Sequence, residues 1–376
     1  MSRGFPEAEY RGRVARAQAG MEKAGLGALL LTTEPELRYF TGFLTRFWES
    51  PSRPWFLVVP AVGAPVAVIP SIGAALMGRT WIEDIRTWPA PRPGDDGVGL
   101  LADTLAEAGG PVAVPSHGET HLRMPLADFD RVKAASGQVF TDDRRIVAGC
   151  RAIKSDAEIA KIADICAIAG RAFDRVTEIA APGVALSQVF RDFQRLLLEE
   201  GADWVPYLAG GAGPEGYGDV ISPATDAPLA AGDVLMLDTG AVRDGYFCDY
   251  DRNFAIGAAS DAQRAAHARL IEATQAGLEA ARPGATASDV WRAMADIVGG
   301  GEGAGRLGHG LGLQLTEGLS LTARDHTELR AGMVITLEPG IETAPGRMMV
   351  HEENIVITGG APRALSPLAG PTLTVI

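Results

Sequence analysis

The sequence predicts two domains, an α/β domain over residues 1–145 and an α+β domain with a pseudo-twofold repeat over residues 150–376. Three observations predict this architecture. The chain has 376 residues, which is too long for a single ordinary hydrophobic core. Its first third alternates helical stretches with short apolar runs. Its second part contains the same motif twice, as AAGDVLMLDTG and, a hundred residues later, as RAGMVITLEPG. The two copies place Asp238 and Glu338 at matching positions.

The first domain is predicted from apolar runs that have the length of buried strands. The segment AEYRGRVARAQAGMEKAGLGALLLTT indicates an amphipathic helix, a glycine stop and a buried strand. Further strands are expected at PWFLVVP, APVAVIP and GPVAVP, which proline, glycine and charged helical stretches separate. Near residue 150 the pattern changes, because Ser155 and Glu158 form a capping-box signature ahead of a long helix. The domain boundary is therefore placed there.

The repeat of the second domain is longer than this shared phrase. EIAAPGVALSQVFRDF, from residue 178, matches EAARPGATASDVWRAM, from residue 279. Both blocks indicate a helix end, a Pro-Gly turn and a second helix capped by Ser187 or Ser288. Each half then reaches a strand that ends in a carboxylate. Two units are too few for a solenoid, so the halves are expected to pack about a pseudo-twofold axis.

The strand that carries Asp238 is expected to turn back as a hairpin. In DVLMLDTGAVRDGYFCDYDRNFAIG the Asp-Gly pair favours a tight turn. One two-residue loop sets Asp238 opposite Asp249, and the loop one residue later sets it opposite Asp251 with Asp249 diagonal. Either register puts these carboxylates on one face, because strand side chains alternate with period two. Facing acids repel each other, which indicates protons or a cation between them.

The second half supplies further candidate ligands. Glu338 ends its first strand, and the returning strand HEENIVIT carries Glu352 and Glu353. His309 lies among glycines in GRLGHGLGLQLTEG, where the backbone can approach a ligand closely. Such an oxygen-rich set suits two divalent ions, with Mn²⁺ expected and Zn²⁺, Co²⁺ or Fe²⁺ as alternatives. Asp251 is expected either to contact the metal directly or to hold a neighbouring side chain.

Composition excludes several classes of partner. The net charge of −13 argues against nucleic acid or an anionic membrane, because a carboxylate-rich surface repels both. No window holds the roughly 20 apolar residues of a membrane span, and the start has no signal-peptide core. Cys150, Cys166 and Cys248 follow no disulfide or CxxC metal pattern. A cytoplasmic enzyme acting on a small molecule or short peptide is expected.

These motifs resemble those of the pita-bread metallopeptidases, which include aminopeptidase P, prolidase, methionine aminopeptidase and the non-metal relative creatinase. The resemblance covers nearly the whole chain. Residues 8 to about 142, with LRYFTGF, are similar to the creatinase-type N-terminal domain, and RAIKSDAEIAKI is similar to the linker that follows it. The implied fold is a creatinase-like α/β domain and a pita-bread α+β domain. The implied metal ligands are Asp238 in LDTG, Asp249 in CDYDRNF, His309 in GHGLGL, Glu338 in LEPG, and Glu352.

The chain departs from the family pattern at positions that handle substrate. The resemblance implies a histidine seventeen residues before the first Asp and another seven residues after the ligand His, but Ile221 and Thr316 stand there. An arginine often found two residues before the last Glu is replaced by Val350. His351 is a candidate replacement for the proton shuttle, with a structural role as the alternative. Tyr217 is a candidate wall of the substrate pocket.

The resemblance also implies a homodimer. Family dimers bring the N-terminal domain to the partner's active site, and the loop TRFWESPSRPWF of that domain carries Trp48, Arg53 and Trp55. Trp48 is therefore a candidate substrate contact. Arg53 and Arg347 are candidates to hold a charged end of the substrate.

The implied function is two-metal hydrolysis of a small amide or peptide, most simply a peptide with proline at the second position. A metal-activated hydroxide attacks the carbonyl carbon, and Glu338 relays the proton to the leaving nitrogen. One alternative is a non-peptidase that hydrolyses or eliminates across a C–N bond in a small solute. Another is a catalytically inactive binding protein.

Overall fold

A computed structural model describes residues 3–50, 54–299 and 301–376 of the chain. The chain divides into two compact units, Met1–Arg151 and Ala152–Ile376. Within the described part of the chain, no helix combines the length and the apolar character needed to cross a membrane.

The first unit is an α/β layer on one six-stranded sheet. Its strands are β1 Ala28–Leu31, β2 Phe56–Pro60, β3 Val66–Pro70, β4 Asp84–Trp88, β5 Val112–Val114 and β6 Phe140–Asp142. Its helices are α1 Glu7–Ala24, α2 Glu34–Thr41, α3 Ala74–Met77, α4 Val98–Ala106, α5 Leu126–Ser136 and α6 Ile146–Ala152, with one-turn 3-10 helices at Phe47–Glu49 and Ser71–Gly73. The strand order is β4-β3-β2-β1-β5-β6, with β2 antiparallel to both of its neighbours and the other pairs parallel.

The apolar runs of the first unit form buried strands, as the sequence predicts. All four residues of β1 are buried, and PWFLVVP, APVAVIP and GPVAVP contain β2, β3 and β5. The helix α1 ends at the predicted glycine stop, where Gly25 has a φ of 65°. Phe56 and Trp88 stack in the core with ring centroids 6.2 Å apart.

The second unit is an α+β domain whose helices pack against strands of three small sheets. Its helices are α7 Asp156–Asp174, α8 Leu186–Glu200, α9 Asp261–Ala280 and α10 Ala287–Val298, with 3-10 helices at Val176–Glu178 and Gly301–Ala304. Its strands are β7 Trp204–Pro214, β8 Asp233–Arg243, β9 Tyr246–Phe247, β10 Tyr250–Ala255, β11 Val334–Leu337, β12 Gly340–Ala344, β13 Arg347–Val350, β14 Glu353–Val356, β15 Arg363–Ala364 and β16 Thr374–Val375. The sheets are β16-β10-β8-β7 with β9 on β8, β11-β14-β15, and β12-β13.

The predicted capping box opens the second unit. The Ser155 hydroxyl accepts the Glu158 amide at 3.3 Å, and the Glu158 carboxylate accepts the Ser155 amide at 3.0 Å. These two bonds satisfy amides that an isolated helix start would leave unpaired. The prediction of a long helix that begins after Ser155 is confirmed by α7.

The sequence repeat reappears as a repeated set of backbone hydrogen bonds. The Gly183 amide donates to the Leu229 carbonyl at 2.8 Å, and the Gly284 amide donates to the Leu329 carbonyl at 3.0 Å. Both glycines have a φ of 90°, a conformation that favours glycine. The two Pro-Gly turns therefore play the same part in the two halves of the domain.

The helices after these turns do not begin at the predicted serine caps. The helix α8 starts one residue before Ser187, with Ala185 at the cap, and α10 starts one residue before Ser288, with Thr286 at the cap. The prediction of serine caps is therefore wrong. Both serines lie in the first helical turn, where the Ser288 hydroxyl lies 3.1 Å from Nδ1 of His326.

Candidate metal centre

The hairpin of β8, β9 and β10 places three aspartates. Its turn is Asp244-Gly245, with positive φ values of 49° and 80° that are typical of a tight hairpin turn. This turn sets Asp238 directly opposite Asp251. Of the two hairpin registers that the sequence allowed, the one that forms therefore pairs Asp238 with Asp251 and not with Asp249. Asp249 immediately precedes β10.

The strands β11 and β14 bring two glutamates to one end of their sheet. The antiparallel register pairs Leu337 with Glu353. Glu338 follows the last residue of β11 and Glu352 precedes the first residue of β14, so both stand at the same end of the strand pair. The Glu338 amide donates to the Leu307 carbonyl at 3.0 Å, which ties the preceding loop to this end.

His309 is held against β11 because a glycine precedes it. The Thr336 amide donates to the His309 carbonyl at 2.7 Å, and the His309 amide donates to the Thr336 hydroxyl at 3.1 Å. Gly308 has a φ of 134°, and a Cβ there would overlap the Thr336 carbonyl oxygen. Nδ1 of His309 lies 3.0 Å from the Gly310 carbonyl, which favours a proton on Nδ1 and a lone pair on Nε2.

Three of the five predicted ligands meet in one buried cluster. Ligand atoms of Asp249, His309 and Glu352 all lie within 4.8 Å of one another. Nε2 of His309 is 3.3 Å from Oδ2 of Asp249. Asp238 and Glu338 lie within electrostatic reach of this cluster, because the charge of Glu338 raises the pKa of Asp249 and the charges of both residues raise the pKa of Glu352.

The acids of the cluster are buried without enough compensating charge. Burial raises the pKa of Asp238, Asp249 and Glu352 well above the usual carboxyl range, and repulsion from neighbouring carboxylates adds to the rise. Among the residues described, Oδ1 of Asp238 and Oε1 of Glu352 are buried with no hydrogen-bond partner. Buried oxygens of this kind are costly unless a cation or donor meets them. The donor set therefore fits divalent metal ions.

Asn354 joins the two halves of the repeat, and the sequence analysis missed it. Its Oδ1 accepts the Asp249 amide at 2.9 Å, and its Nδ2 donates to the Asp249 carbonyl. The Cys166 thiol also donates to Oδ1 at 3.3 Å. Asn354 is completely buried on β14. The sequence feature that could have revealed Asn354 is an amide side chain next to the apolar residues of ENIVI. A polar side chain buried in such a strand needs hydrogen-bond partners at fixed positions.

Tyr207 on β7 is a further contact that the sequence does not distinguish from ordinary packing. Its hydroxyl donates to Oδ2 of Asp238 at 3.0 Å. Burial and the nearby Asp238 charge raise the pKa of the phenol, so the hydroxyl keeps its proton. The bond orients one carboxylate oxygen of Asp238 and leaves the other oxygen for a metal.

His351, a candidate proton shuttle, lies between two acids. Its Nδ1 is 3.3 Å from Oδ1 of Asp251, and its Nε2 is 3.2 Å from Oε1 of Glu353. Burial lowers the pKa of the imidazole, but the bonds to both carboxylates raise it above its ordinary value. The Asp251 carboxylate also accepts the Glu352 amide at 3.0 Å. His351 is 1% exposed and lies between these two acids, next to the candidate ligand Glu352. Its role as a proton shuttle stays a prediction.

The candidate substrate residues of the second unit occupy very different environments. Tyr217 is 1% exposed, and its hydroxyl accepts the Val350 amide at 2.6 Å and donates to Oδ1 of Asn253 at 3.2 Å. These bonds place its ring in the packing beside β13 and not on an open pocket wall. Ile221 is 85% exposed in the loop between β7 and β8. Thr316 is half-buried in the loop before β11.

Trp48 packs inside the first unit. Its ring centroid is 6.0 Å from that of Trp55, and the Arg123 guanidinium lies 5.0 Å from the Trp48 ring. Within the described ranges, the buried indole nitrogen of Trp48 has no hydrogen-bond partner. Arg53, in the same loop, lies outside the described residues. Substrate contact by Trp48 stays a prediction.

Comparison with protein families gives two matches that together span most of the chain. The family model of metallopeptidase family M24 matches residues 160–359. The model of the creatinase/prolidase N-terminal domain matches residues 13–153.

Similar proteins and solved structures agree with these matches. A probable dipeptidase PepE from Mycobacterium tuberculosis is 31% identical over 365 residues, which cover 95% of this chain and 94% of the relative. An Xaa-Pro dipeptidase from Pyrococcus horikoshii is 30% identical over 244 residues, 62% of this chain and 68% of the relative. The crystal structure of dipeptidase PepE from Mycobacterium ulcerans, 30% identical, superposes with a TM-score of 0.84 and covers 99% of both chains. The predicted fold class is confirmed, and these relatives favour neither a lyase nor an inactive binding protein.

Proposed function

The chain belongs to metallopeptidase family M24 and is a metal-dependent hydrolase, and on that premise we propose that it uses two divalent ions to cleave dipeptides with proline at the second position. The observation that carries the proposal is the convergence of Asp249, His309 and Glu352 beside the unpartnered oxygen of Asp238. The names of the relatives, a dipeptidase and an Xaa-Pro dipeptidase, support the substrate class.

Five side chains are the proposed metal ligands. Four carboxylates and one imidazole favour Mn²⁺ over metals that prefer thiolates. When bound, the ions supply Lewis-acid polarisation of the peptide carbonyl and lower the pKa of a water molecule. The proposed ligands are Asp238, Asp249, His309, Glu338 and Glu352.

Glu338 is the proposed proton carrier. Burial raises the pKa of its carboxyl, and the charges of His309 and Arg306 limit the rise. At the end of β11, beside the other proposed ligands, the Glu338 carboxylate is placed to accept the proton of the attacking water as a general base. The same carboxyl can then hand this proton to the leaving nitrogen.

Three further residues are proposed to hold the ligands in place. Tyr207 donates to Asp238, and Asn354 clamps the backbone of Asp249 on both its amide and its carbonyl. His351 is proposed as a positioning residue below the cluster, in place of the shuttle role. Ligands fixed in this way need little reorganisation when a metal binds.

A homodimer and a cytoplasmic location complete the proposal. The aromatic cluster around Trp48 supports the dimer, because Phe47 is 37% exposed and the buried Trp48 indole lacks a partner among the described residues. All three cysteines are free, as is usual in a reducing compartment.

The test is hydrolysis by protein stripped of metal with a chelator and then loaded with Mn²⁺. A panel of Xaa-Pro dipeptides and matched Xaa-Ala dipeptides is assayed for amino-acid release. We expect cleavage only after loading, with preference for proline. Protein that binds the metal but cleaves no dipeptide of either set would contradict the proposal.

A further inference from the structure

Lys154 and Glu317 form a buried ion pair that no step of the proposed reaction uses. Nζ of Lys154 lies 2.8 Å from Oε1 of Glu317, and both side chains are buried. Salt screens such a pair little, and removal of one partner leaves an uncompensated charge in the interior. The pair therefore ties together two segments of the second unit that are 163 residues apart in sequence.

The backbone of Lys154 is fixed on both sides. Its amide donates to the Gly332 carbonyl at 2.9 Å, shortly before β11 begins. The next residue, Ser155, caps α7. Gly332 has a φ of 90°, and a Cβ there would lie 2.8 Å from Cγ2 of Ile153, so this close approach requires glycine. The Lys154 side chain therefore starts from a fixed position near the start of β11.

Glu317 closes a glycine-rich loop that begins with His309. We call residues 309–317, HGLGLQLTE, the histidine loop. The Glu317 amide donates to the Gly310 carbonyl at 2.8 Å, which brings the two ends of the loop together. The Glu317 carboxylate lies over Gly312, where a Cβ would overlap its Oε1. The carboxylate of the ion pair therefore packs against the backbone of this loop.

The histidine loop needs anchors because it contains two glycines. Glycine loses more conformational freedom than any other residue when it is fixed, so order at Gly310 and Gly312 is costly. Two backbone bonds to neighbouring strands offset part of this cost. The Leu311 amide donates to the Val334 carbonyl at 3.1 Å, and the Phe247 amide donates to the Gly312 carbonyl at 2.9 Å. The ion pair is a further anchor, made through a side chain.

We propose that Lys154 is a positioning residue of the metal centre, and that its ion pair with Glu317 keeps the histidine loop where His309 faces Asp249. Nε2 of His309 is 3.3 Å from Oδ2 of Asp249. Metal–ligand distances vary by only about 0.2 Å, so a small displacement of this loop would weaken metal binding. The inference rests on the proposed function, because it concerns a proposed ligand of the same site.

The first test is calorimetric titration of the metal-free full chain with Mn²⁺. Lys154→Met should bind Mn²⁺ about tenfold to a hundredfold more weakly than the wild type, which is the usual loss when a group that orients a ligand is removed. Wild-type affinity in Lys154→Met would overturn the proposal.

The double variant Lys154→Met, Glu317→Met separates positioning from stability. Lys154→Met alone leaves the Glu317 charge buried without its partner, so it should unfold at a lower urea concentration. Replacing both partners by unbranched apolar side chains is often neutral for stability, so the double variant should fold even if the single variant does not. We expect its Mn²⁺ affinity to stay reduced by about tenfold or more. If affinity recovered together with stability, the pair would act through folding alone and the proposal would be wrong.

Hydrogen exchange of the metal-free protein needs neither metal nor turnover. Amides of the histidine loop should exchange at least about tenfold faster in Lys154→Met and in the double variant than in the wild type. Lys161→Met is the matched control, because Lys161 forms another buried ion pair of this unit, with Asp244 at 2.5 Å. Its loss should raise exchange at the Asp244-Gly245 turn and leave the histidine loop unchanged. Wild-type exchange of this loop in the double variant would contradict the proposal.

Failure of the proposed function can be told apart from failure of this inference. If the wild type binds Mn²⁺ but cleaves no dipeptide, the proposed function fails, and reduced Mn²⁺ affinity of the double variant still supports the role of Lys154. If the wild type binds no Mn²⁺, the ligand set is wrong and both proposals fail.

Discussion

Asp238 on β8 and Asp251 on β10 stand directly opposite each other, although both are buried acids. Opposed like charges destabilise a strand pair unless other groups neutralise them. Here the partners differ, since the Tyr207 hydroxyl donates to Asp238 and the Glu352 amide donates to Asp251. Each acid still keeps one buried oxygen without a partner among the residues described. A cation would complete the surroundings of Asp238, whereas Asp251 already has the His351 imidazole 3.3 Å from its Oδ1.

Replacing Asp249 should remove metal from the site. The wild type is expected to hold about two ions per chain after loading, and Asp249→Asn about one or fewer, because an amide is a weaker ligand than a carboxylate. Elemental analysis measures the stoichiometry. Asp296→Asn, on the exposed face of α10, is the matched control and should keep both ions. An Asp249→Asn protein with the wild-type stoichiometry would remove Asp249 from the ligand set.

Replacing Glu338 should slow the chemical step. Glu338→Gln keeps an oxygen toward the site but cannot carry a proton, so kcat should fall by about 10²- to 10⁴-fold with a smaller change in KM. Metal content is measured in parallel to separate proton transfer from metal loss. Glu342→Gln, on the exposed face of β12, should leave kcat near the wild-type value. Full activity of Glu338→Gln with metal bound would refute the proton-carrier role.

Restoring imidazoles should improve Xaa-Pro turnover. Ile221 and Thr316 supply no proton-transfer or oxyanion contact, so wild-type activity on these dipeptides is expected to be low. The double variant Ile221→His, Thr316→His should raise kcat/KM by about tenfold to a hundredfold. Because Ile221 is 85% exposed, the histidine at that position should not disturb folding. Ile72→His, at an exposed site of the first unit, is the control.

The opposite result would also be informative for this prediction. A wild type that already cleaves Xaa-Pro dipeptides as fast as its double variant would mean that the missing histidines are not limiting.

Glu34 should make the stability of the first unit depend on pH. Burial raises the pKa of its carboxyl to about 7, against the lowering effects of Arg46, Arg38 and Arg123. The folded-state pKa of Glu34 lies above the ordinary value of about 4.3. The contribution of this carboxyl to the free energy of unfolding is therefore fully present below about pH 4.3 and is lost as pH rises through 7. The negative charge of neighbouring Glu49 also raises the pKa of Glu34.

Glu34→Gln should therefore stabilise the protein by about 1 to 3 kcal/mol at pH 8 and have little effect at pH 4. Urea unfolding at the two pH values measures the difference. Glu22→Gln, on the exposed end of α1, is the control. If Glu34→Gln raised the free energy of unfolding equally at both pH values, the charge on Glu34 would not be the cause of the stabilisation.

Light scattering tests the proposed homodimer. The expected mass is twice the 39.4 kDa of the chain. Burial of the exposed Phe47 ring and a partner for the Trp48 indole would favour association. A monomer at micromolar concentration would remove any role of Trp48 in a partner's site.

Much of the fold could be predicted because its signals are local. Apolar runs of strand length, the glycine stop at Gly25 and the capping box of Ser155 act over a few residues, and each appears in the structure where the sequence indicates it. The serine caps failed because both helices start one residue earlier than expected. Thr286 caps α10 with its side chain, whereas α8 follows Ala185 without a side-chain cap, and the exact first residue of a helix is the part that a local pattern fixes least.

The sequence by itself determined which chemical groups the repeat offers at matching positions, since Asp238 and Glu338 follow from a motif that can be read along the chain. Only the tertiary structure decided that Asp251, and not Asp249, faces Asp238. A change of one residue in the position of the hairpin loop shifts every cross-strand residue pair between β8 and β10. It also decided that Asn354 binds the Asp249 backbone and that Tyr217 is buried. These contacts join residues far apart in sequence, and their energies depend on burial and on partners that no local pattern specifies.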